Sequence, residues 1–168
     1  MSNKSQIKYT ISMEAPHTHI FNVNIEVDGH DGNYIDFKMP VWTPGSYLVR
    51  EFSKNVITAS ASNKSGELEV KKISKNTWRV FLPNTSKFEF KYNVYAYEKT
   101  VRTSYLDGEQ AMINGASVFM VPDGYENQPL ELTVEPYHEW QLITTTLESY
   151  KGSYDKFVAQ NFDDLIDC

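Results

Sequence analysis

Strict alternation of apolar and polar residues runs through much of this chain. In the clearest case, Phe88, Phe90 and Tyr92 alternate with lysine and glutamate, so one side of the segment is apolar and the other is charged. A β-strand points successive side chains to opposite faces, whereas a helix needs apolar residues three or four positions apart. The pattern therefore predicts half-buried strands over residues 7–13, 21–27, 78–82, 88–96 and 130–134.

Turn-forming residues separate these predicted strands. Asp28-Gly29, Pro83-Asn84 and Asp107-Gly108 are typical of chain reversals. Because a single sheet of this length would leave its apolar face in water, two packed sheets are the simpler solution. We predict an all-β fold, an antiparallel β-sandwich, in one domain over residues 1–168. At most one short helical turn is expected, near the C-terminus, where the Asn161 side chain can accept hydrogen bonds from the first free amides of a helix.

The composition of the 168-residue chain supports a folded domain and excludes several partners. Apolar residues make up 40% of the sequence, which is enough to form a core. The formal net charge of -6 opposes binding to phosphate backbones, so no nucleic-acid partner is expected. Cys168 is the only cysteine, which excludes an internal disulfide and a thiolate metal cluster built from this chain alone.

The sequence predicts neither a signal peptide nor a membrane-spanning segment. Its first ten residues lack the apolar stretch of a leader, and no apolar run approaches the ~20 residues that cross a bilayer. We therefore expect a soluble chain without a membrane partner, and the sequence leaves its compartment open.

The stretch MPVWTPGSYLVR contains a predicted turn between two aromatic residues. Pro44 fixes φ for the second turn position and Gly45 tolerates the positive φ of the third, which is typical of a type II turn. The flanking Trp42 and Tyr47 are expected to cover the apolar side of this turn. Arg50 is expected to pair with an acidic neighbour or to bind a carboxylate. We interpret these five residues as a structural motif, and an exposed aromatic platform for a ligand is the alternative.

The sequence contains no complete catalytic constellation. Thermolysin-type hydrolysis needs two histidines one helical turn apart with a glutamate beside the first, and the four histidines of the chain lack that spacing. His17 and His19 would share one face of a strand, but two ligands rarely hold a metal, and surface histidines are the expected alternative. No Gly-x-Ser-x-Gly elbow is present, and acidic pairs such as Asp163-Asp164 are usually solvated. We expect no catalytic residue, no metal site and no cofactor in this chain.

Three segments carry a specific combination of motifs: PVWTPGSYLVREFSKNV, VYAYEKTVRTSYLDGEQAMINGASVFM and, at the end, FVAQNFDDLIDC. Together they resemble the N-terminal domain of the glycyl aminopeptidase family over nearly the whole chain. The resemblance implies a zinc metallopeptidase of the thermolysin-like clan, in which this β domain precedes a HExxH-bearing catalytic domain and a PDZ domain. It also implies that the chain stops at the border of that catalytic domain and that zinc is bound there. The implied partners are the catalytic domain and the peptide substrate of the parent protein.

The resemblance also implies residues that line the substrate cleft: Arg102, Asp107, Glu109 and Asn114. In related two-domain aminopeptidases the β domain contributes polar groups near the amino end of the substrate, and a protonated amino terminus needs a partner such as Asp107 or Glu109. Where the family pattern has Asp-Asp-Glu-Arg, this chain has Asp-Gly-Glu-Gln, so Gln110 replaces a basic residue. The small residues around Gly115 predict a backbone that closely approaches another surface. A plain β-hairpin with an Asn-Gly turn and an Arg-Asp pair is the alternative.

The functional hypothesis is a non-catalytic N-terminal domain that scaffolds and partly lines the cleft of a downstream aminopeptidase acting on peptides with N-terminal glycine or alanine. Such a domain should expose an apolar patch where its partner docks, and Phe119, Met120 and Phe162 are the expected members. That patch would favour a homodimer of the isolated chain. The alternative is a free-standing carbohydrate- or peptide-binding module whose binding face contains Trp42, Tyr47, Trp78 and Trp140. An independent hydrolase built on acidic pairs is the weakest alternative.

Overall fold

The computed structural model describes residues 6–43 and 48–167, which are built mainly from strands. The strands are β1 (Gln6–Ser12), β2 (Ile20–Asp28), β3 (Tyr34–Lys38), β4 (Val56–Asn63), β5 (Gly66–Leu68), β6 (Val70–Ser74), β7 (Thr77–Phe81), β8 (Lys87–Tyr95), β9 (Tyr105–Leu106), β10 (Ala111–Met112), β11 (Val121–Pro122), β12 (Leu130–Glu135), β13 (Glu148–Ser149) and β14 (Lys156–Ala159). The helices are α1 (Gly115–Val118), α2 (Phe162–Ile166) and three 3-10 helices at Pro16–Thr18, Phe52–Asn55 and Tyr150–Gly152.

The strands form two main sheets and a hairpin. The larger sheet has eight strands in the order β13-β14-β12-β1-β2-β8-β4-β5, and the smaller one has four in the order β11-β3-β7-β6. Strands β9 and β10 form a separate hairpin, and Tyr105 of β9 also forms an isolated antiparallel bridge with Tyr97. Among the described strands the pairings are antiparallel except that of β1 with β12. That pair can be parallel because more than a hundred residues separate its members, which is ample for a crossover connection.

The alternation in the sequence is the burial pattern of the strands. In β8 every second side chain is buried, and Phe90 stacks on Phe37 of β3 with ring centroids 4.2 Å apart. This contact joins the inner faces of the two main sheets, as expected for a sandwich. The predicted all-β sandwich is therefore confirmed, and the five predicted strand segments correspond to β1, β2, β7, β8 and β12.

The helical content differs from the prediction. At the C-terminus α2 forms as expected, and the Asn161 side chain accepts a hydrogen bond from the Asp164 amide at 2.8 Å. The expectation of at most one helical turn is wrong in number, because α1 is a second short helix. Its sequence, Gly-Ala-Ser-Val, is a single turn and too short to show helical periodicity. Neither α-helix is long or apolar enough to cross a bilayer.

The apolar patch predicted from Phe119, Met120 and Phe162 is not exposed. Their side chains are 1%, 0% and 6% exposed, respectively. Phe119 lies edge-on against Tyr9 of β1, with ring centroids 5.7 Å apart, so it belongs to the core of the sandwich. These residues therefore give no support to a homodimer, which stays an untested prediction.

Candidate functional site

The four predicted cleft residues lie along one surface feature, the β9–β10 hairpin and its flanks. Asp107 and Glu109 lie in the turn that connects the two strands, where the Asp107 amide donates to the Gln110 carbonyl at 3.0 Å. Arg102 and Asn114 lie at the other end, where the Asn114 side-chain amide donates to the Val101 carbonyl at 3.4 Å. The structure therefore brings the four residues together as two pairs, one at the tip of the hairpin and one at its base.

Asp107 uses its carboxylate to form the hairpin turn. One oxygen accepts hydrogen bonds from the amides of Glu109 and Gln110 at 2.8 and 2.9 Å. The other accepts the Tyr105 hydroxyl at 2.7 Å. The bond from Tyr105 is the main cause that lowers the pKa of Asp107, and the two amides lower it further. Since the structural bonds occupy this carboxylate, Asp107 is less available to a ligand than the sequence led us to expect.

Glu109 is the exposed carboxylate at the tip. Within the described chain its carboxylate forms no hydrogen bond or ion pair, in contrast to that of Asp107. Together with Gln110 it lines a cavity of about 670 Å³ between the hairpin and the larger sheet. Of the two acidic candidates, Glu109 is thus the one free to bind a cationic group.

A small polar network lies at the base of the hairpin. The Asn114 amide donates to Ser104 Oγ at 2.9 Å, and Ser104 Oγ lies 2.7 Å from Ser117 Oγ. The Asn114 Oδ1 atom is buried and lacks a hydrogen-bond partner in the described chain. Sequence inspection missed Ser104 and Ser117, and the one available signal was their place within the motif-bearing segment. Within the described chain, the fold thus leaves the side-chain acceptor of Asn114, Oδ1, without a hydrogen bond.

The plain-hairpin alternative for this segment is wrong in two details. The hairpin turn falls at Asp107–Gln110, and Asn114-Gly115 instead begins α1. Arg102 is exposed and forms no ion pair with Asp107 or with any other described carboxylate. The predicted close approach of the backbone is confirmed at Gly115, where an added Cβ would lie 2.6 Å from Ile166 Cα. The surface approached is α2 of the same chain.

The predicted structural motif is described only in part, because Pro44, Gly45 and Tyr47 lie outside the described residues. Trp42 is 57% exposed, and its expected packing over the turn stays a prediction because the turn lies outside the described residues. The adjacent Thr43 is buried. Arg50 forms no ion pair with a described residue, and its buried Nε has no described partner. The expected pairing with an acidic neighbour is therefore not formed within the described chain.

The two histidines near the N-terminus, His17 and His19, do not share one face of a strand. His17 lies in a 3-10 helix, and His19 adopts a left-handed conformation with φ of 61°. The His19 ring packs against Tyr97 at a centroid distance of 3.8 Å, and its Nδ1 lies 2.5 Å from the Leu106 carbonyl oxygen. Tyr97 in turn stacks on Tyr105 of β9. Within residues 6–43 and 48–167, no three His, Cys, Asp or Glu side chains converge as metal ligands.

The aromatic residues assigned to a sugar- or peptide-binding face do not share one. Trp78 in β7 is only 6% exposed, with the Lys72 ammonium 4.6 Å from its ring centroid. Trp42 is exposed, Trp140 lies in the segment between β12 and β13, and Tyr47 lies outside the described residues. A buried Trp78 cannot belong to an exposed platform, so this alternative is not favoured.

Comparison with known proteins identifies the family of this chain. The model of the peptidase M61 N-terminal domain family matches residues 8–168. Among solved structures, an aminopeptidase N family protein from Idiomarina loihiensis has a TM-score of 0.89 and 34% identity, over 96% of this chain and 28% of that chain. An M1 zinc metallopeptidase from Deinococcus radiodurans has a TM-score of 0.47 and 9% identity, over 95% of this chain and 39% of that chain, a likeness too weak to support inference.

No curated protein matches the chain. The chain spans 28% of the length of the Idiomarina loihiensis protein, so it corresponds to one part of that longer molecule. The family match, by contrast, covers nearly all of the chain, from β1 through α2. The chain belongs to the peptidase M61 N-terminal domain family.

Proposed function

We propose that this chain is the non-catalytic N-terminal domain of a zinc-dependent aminopeptidase and that it scaffolds and partly lines the cleft of a catalytic domain that follows it. The observation that carries the proposal is the 34% identity over 96% of this chain to an aminopeptidase N family protein of which the match covers 28%. The remaining length of such a protein leaves room for a catalytic domain and for a PDZ domain.

Three side-chain groups support the cleft-lining role. The Glu109 carboxylate, the Asn114 Oδ1 atom and the Arg102 guanidinium are all unused by the fold within the described chain. Glu109 and Arg102 are exposed, so a neighbouring domain docked on the hairpin would meet both, whereas Asn114 Oδ1 is buried. A carboxylate and an amide oxygen suit a protonated peptide amino terminus, and a guanidinium suits a carboxylate.

We therefore propose separate roles for this domain and for the catalytic domain. The residues of this domain would bind and orient the amino end of a peptide that begins with glycine or alanine. Zinc would be bound by the catalytic domain, where such a metal supplies an activated water for attack on the scissile carbonyl. The partners we propose are therefore the downstream catalytic domain and a peptide substrate.

The decisive experiment uses the protein encoded by the complete native reading frame. We expect the frame to continue into a HExxH helix and the protein to hydrolyse glycyl- and alanyl-p-nitroanilide. Glu109→Gln or Arg102→Ala should lower kcat/KM about two- to tenfold, the effect of one lost hydrogen bond or ion pair, mainly through KM.

Glu67→Gln is the matched control for Glu109→Gln, because Glu67 is also exposed but lies on β5, at the far edge of the larger sheet. It should leave both kinetic constants unchanged. A stop codon directly after residue 168, or Glu109 and Arg102 variants that behave like the Glu67 variant, would contradict the proposal.

A further inference from the structure

The cavity beside the hairpin is lined by strands of the larger sheet and by two covering segments. Its floor is formed by inward side chains of β1, β12 and β14, including Ile11, Leu132 and Phe157. The hairpin residues 109–113 close one side, and the irregular segment 136–145 closes the other. Its volume of about 670 Å³ lies in the range of roughly 300–1,000 Å³ that is typical of small-molecule sites.

The reason for the cavity lies in the unequal size of the two sheets. The smaller sheet packs on the larger one around β8, where Phe37 contacts both Phe88 and Phe90. The β1-β12-β14 part of the larger sheet is covered instead by the hairpin and by residues 136–145, which contain no regular strand or helix. An irregular cover packs less closely against the apolar face of a sheet than a second sheet does, so a space remains.

The charged residues that line the cavity are all acidic. Two carboxylates, from Glu109 and Glu139, are among its lining residues, and none of the lining residues is basic. The Glu109 carboxylate has no partner in the described chain. Among the described residues, the partner of the Glu139 carboxylate is His138 Nε2 at 3.9 Å, which forms an ion pair with it only when the imidazole is protonated. An apolar floor beneath unpaired carboxylates suits a ligand that is apolar along its body and cationic at one end.

We propose that this cavity binds a small amphipathic molecule with an apolar body and a protonated primary amine. The apolar body lies on the floor formed by Ile11, Leu132 and Phe157, and the ammonium faces Glu109 and Glu139. This site shares Glu109 with the proposed substrate cleft, but it goes beyond the peptidase role because it requires only the chain described above and no catalytic domain. Binding to the isolated chain therefore tests it separately from peptide hydrolysis.

The test uses Trp140, which lines the cavity, as an intrinsic fluorescent probe. Octylammonium, octanol and octanoate, each below its aggregation limit, are titrated into the 168-residue chain at pH 7 and low salt. We expect saturable changes with octylammonium, weaker binding of octanol and the weakest binding of octanoate. Trp140→Phe should remove the fluorescence change, while calorimetry with the same variant should still detect binding.

Two sets of variants locate the ligand. Glu109→Gln and Glu139→Gln should each weaken octylammonium binding about two- to fivefold, the range for one exposed ion pair, and leave octanol binding unchanged. Glu67→Gln, on the distant β5, is the control. Ala111→Phe adds a ring from the covering hairpin and should abolish binding of all three probes. Because Ala111 is only partly buried, this variant is expected to fold, which circular dichroism checks.

Three outcomes would overturn the proposal. One is the absence of saturable binding of octylammonium by calorimetry. Another is equal affinity for octylammonium and octanoate, which would show that the carboxylates select no charge. The third is unchanged binding to a folded Ala111→Phe variant, which would place the ligand elsewhere.

Discussion

At the scale of single residues, buried tyrosine hydroxyls connect the larger sheet to the end of α1 and to the segment that follows it. The Tyr92 hydroxyl donates to the Val118 carbonyl at 2.9 Å and accepts from the Met120 amide at 2.9 Å. The Tyr9 hydroxyl donates to the Met120 carbonyl at 2.8 Å. Desolvation by burial raises the pKa of both tyrosines, so both hydroxyls stay protonated and able to donate.

Tyr92→Phe should therefore destabilise the fold. The substitution keeps the ring in the core but leaves the Val118 carbonyl and the Met120 amide without their partner, which costs about 1–3 kcal/mol. Urea unfolding would measure the difference. Tyr154→Phe is the matched control because Tyr154 is 69% exposed, and it should change the free energy of unfolding very little. Equal effects of the two substitutions would contradict this prediction.

The Tyr105–Asp107 bond predicts a coupled pH dependence in the hairpin. The bond raises the pKa of Tyr105 to about 12 and lowers that of Asp107. The contribution of Asp107 to stability is present above its ordinary pKa and lost as the pH falls through the lowered value. The contribution of Tyr105 is present below its ordinary pKa and lost as the pH rises through about 12.

Tyr105→Phe should thus raise the pKa of Asp107 toward the ordinary value of about 3.9. A ¹³C NMR titration of the aspartate carboxyl carbons measures this directly. The rise should be only partial, because the two amide bonds to the same carboxylate remain. An Asp107 pKa that does not move would show that the hydroxyl bond is not formed in solution.

At the scale of elements, the contact between α1 and α2 depends on a glycine. A Cβ at Gly115 would lie 2.6 Å from Ile166 Cα and 2.9 Å from the Leu165 carbonyl oxygen. Both are backbone atoms, so relief requires the whole of α2 to shift rather than one side chain to rotate. This single position therefore sets how closely the C-terminal helix packs on the segment that carries Asn114.

Gly115→Ala tests this contact against an opposing effect. Alanine favours a helix over glycine by about 0.5–1 kcal/mol, but overpacking costs about 1–3 kcal/mol. We expect the overlap to dominate and the midpoint of urea unfolding to fall. Gly108→Ala is the control, because no atom lies within 4 Å of its added Cβ. An unchanged or higher midpoint for Gly115→Ala would show that α2 yields without cost.

At the scale of the whole molecule, the two main sheets share one core. Phe37 of the smaller sheet packs against Phe88 and Phe90 of the larger, and Tyr9 of the larger sheet packs against Phe119. Neither sheet can bury its apolar face without the other. That mutual dependence is the physical reason for which we predict a single domain over residues 1–168.

Unfolding should therefore be one cooperative transition. Tryptophan fluorescence and far-UV circular dichroism should give the same unfolding midpoint in urea. The fluorescence includes a contribution from the buried Trp78 of β7 in the smaller sheet. The circular dichroism signal comes mainly from the larger sheet, which contributes most strands. Trp78→Phe identifies the part of the fluorescence signal that comes from this residue. Two separated midpoints would show that the sheets unfold independently and that one domain is the wrong description.

The sequence by itself determined five of the fourteen described strands, the fold class and the family. Strand periodicity is local: alternation over a few residues, as in β8, is visible without knowledge of any partner. The cap of α2 by Asn161 is local as well, since donor and acceptor lie three residues apart. The motif-bearing segments, read in order along the chain, were sufficient for the resemblance that the family match confirmed.

Only the tertiary structure decided which side chains the fold uses and which it leaves free. Asp107 and Glu109 are two positions apart and look equivalent in the sequence, yet one is bound within a turn and the other faces a cavity. The burial of Phe119, the exposure of Trp42 and the parallel pairing of β1 with β12 depend on contacts between residues far apart in the chain. Such contacts are set by how the sheets pack, and local spacing carries no record of that packing.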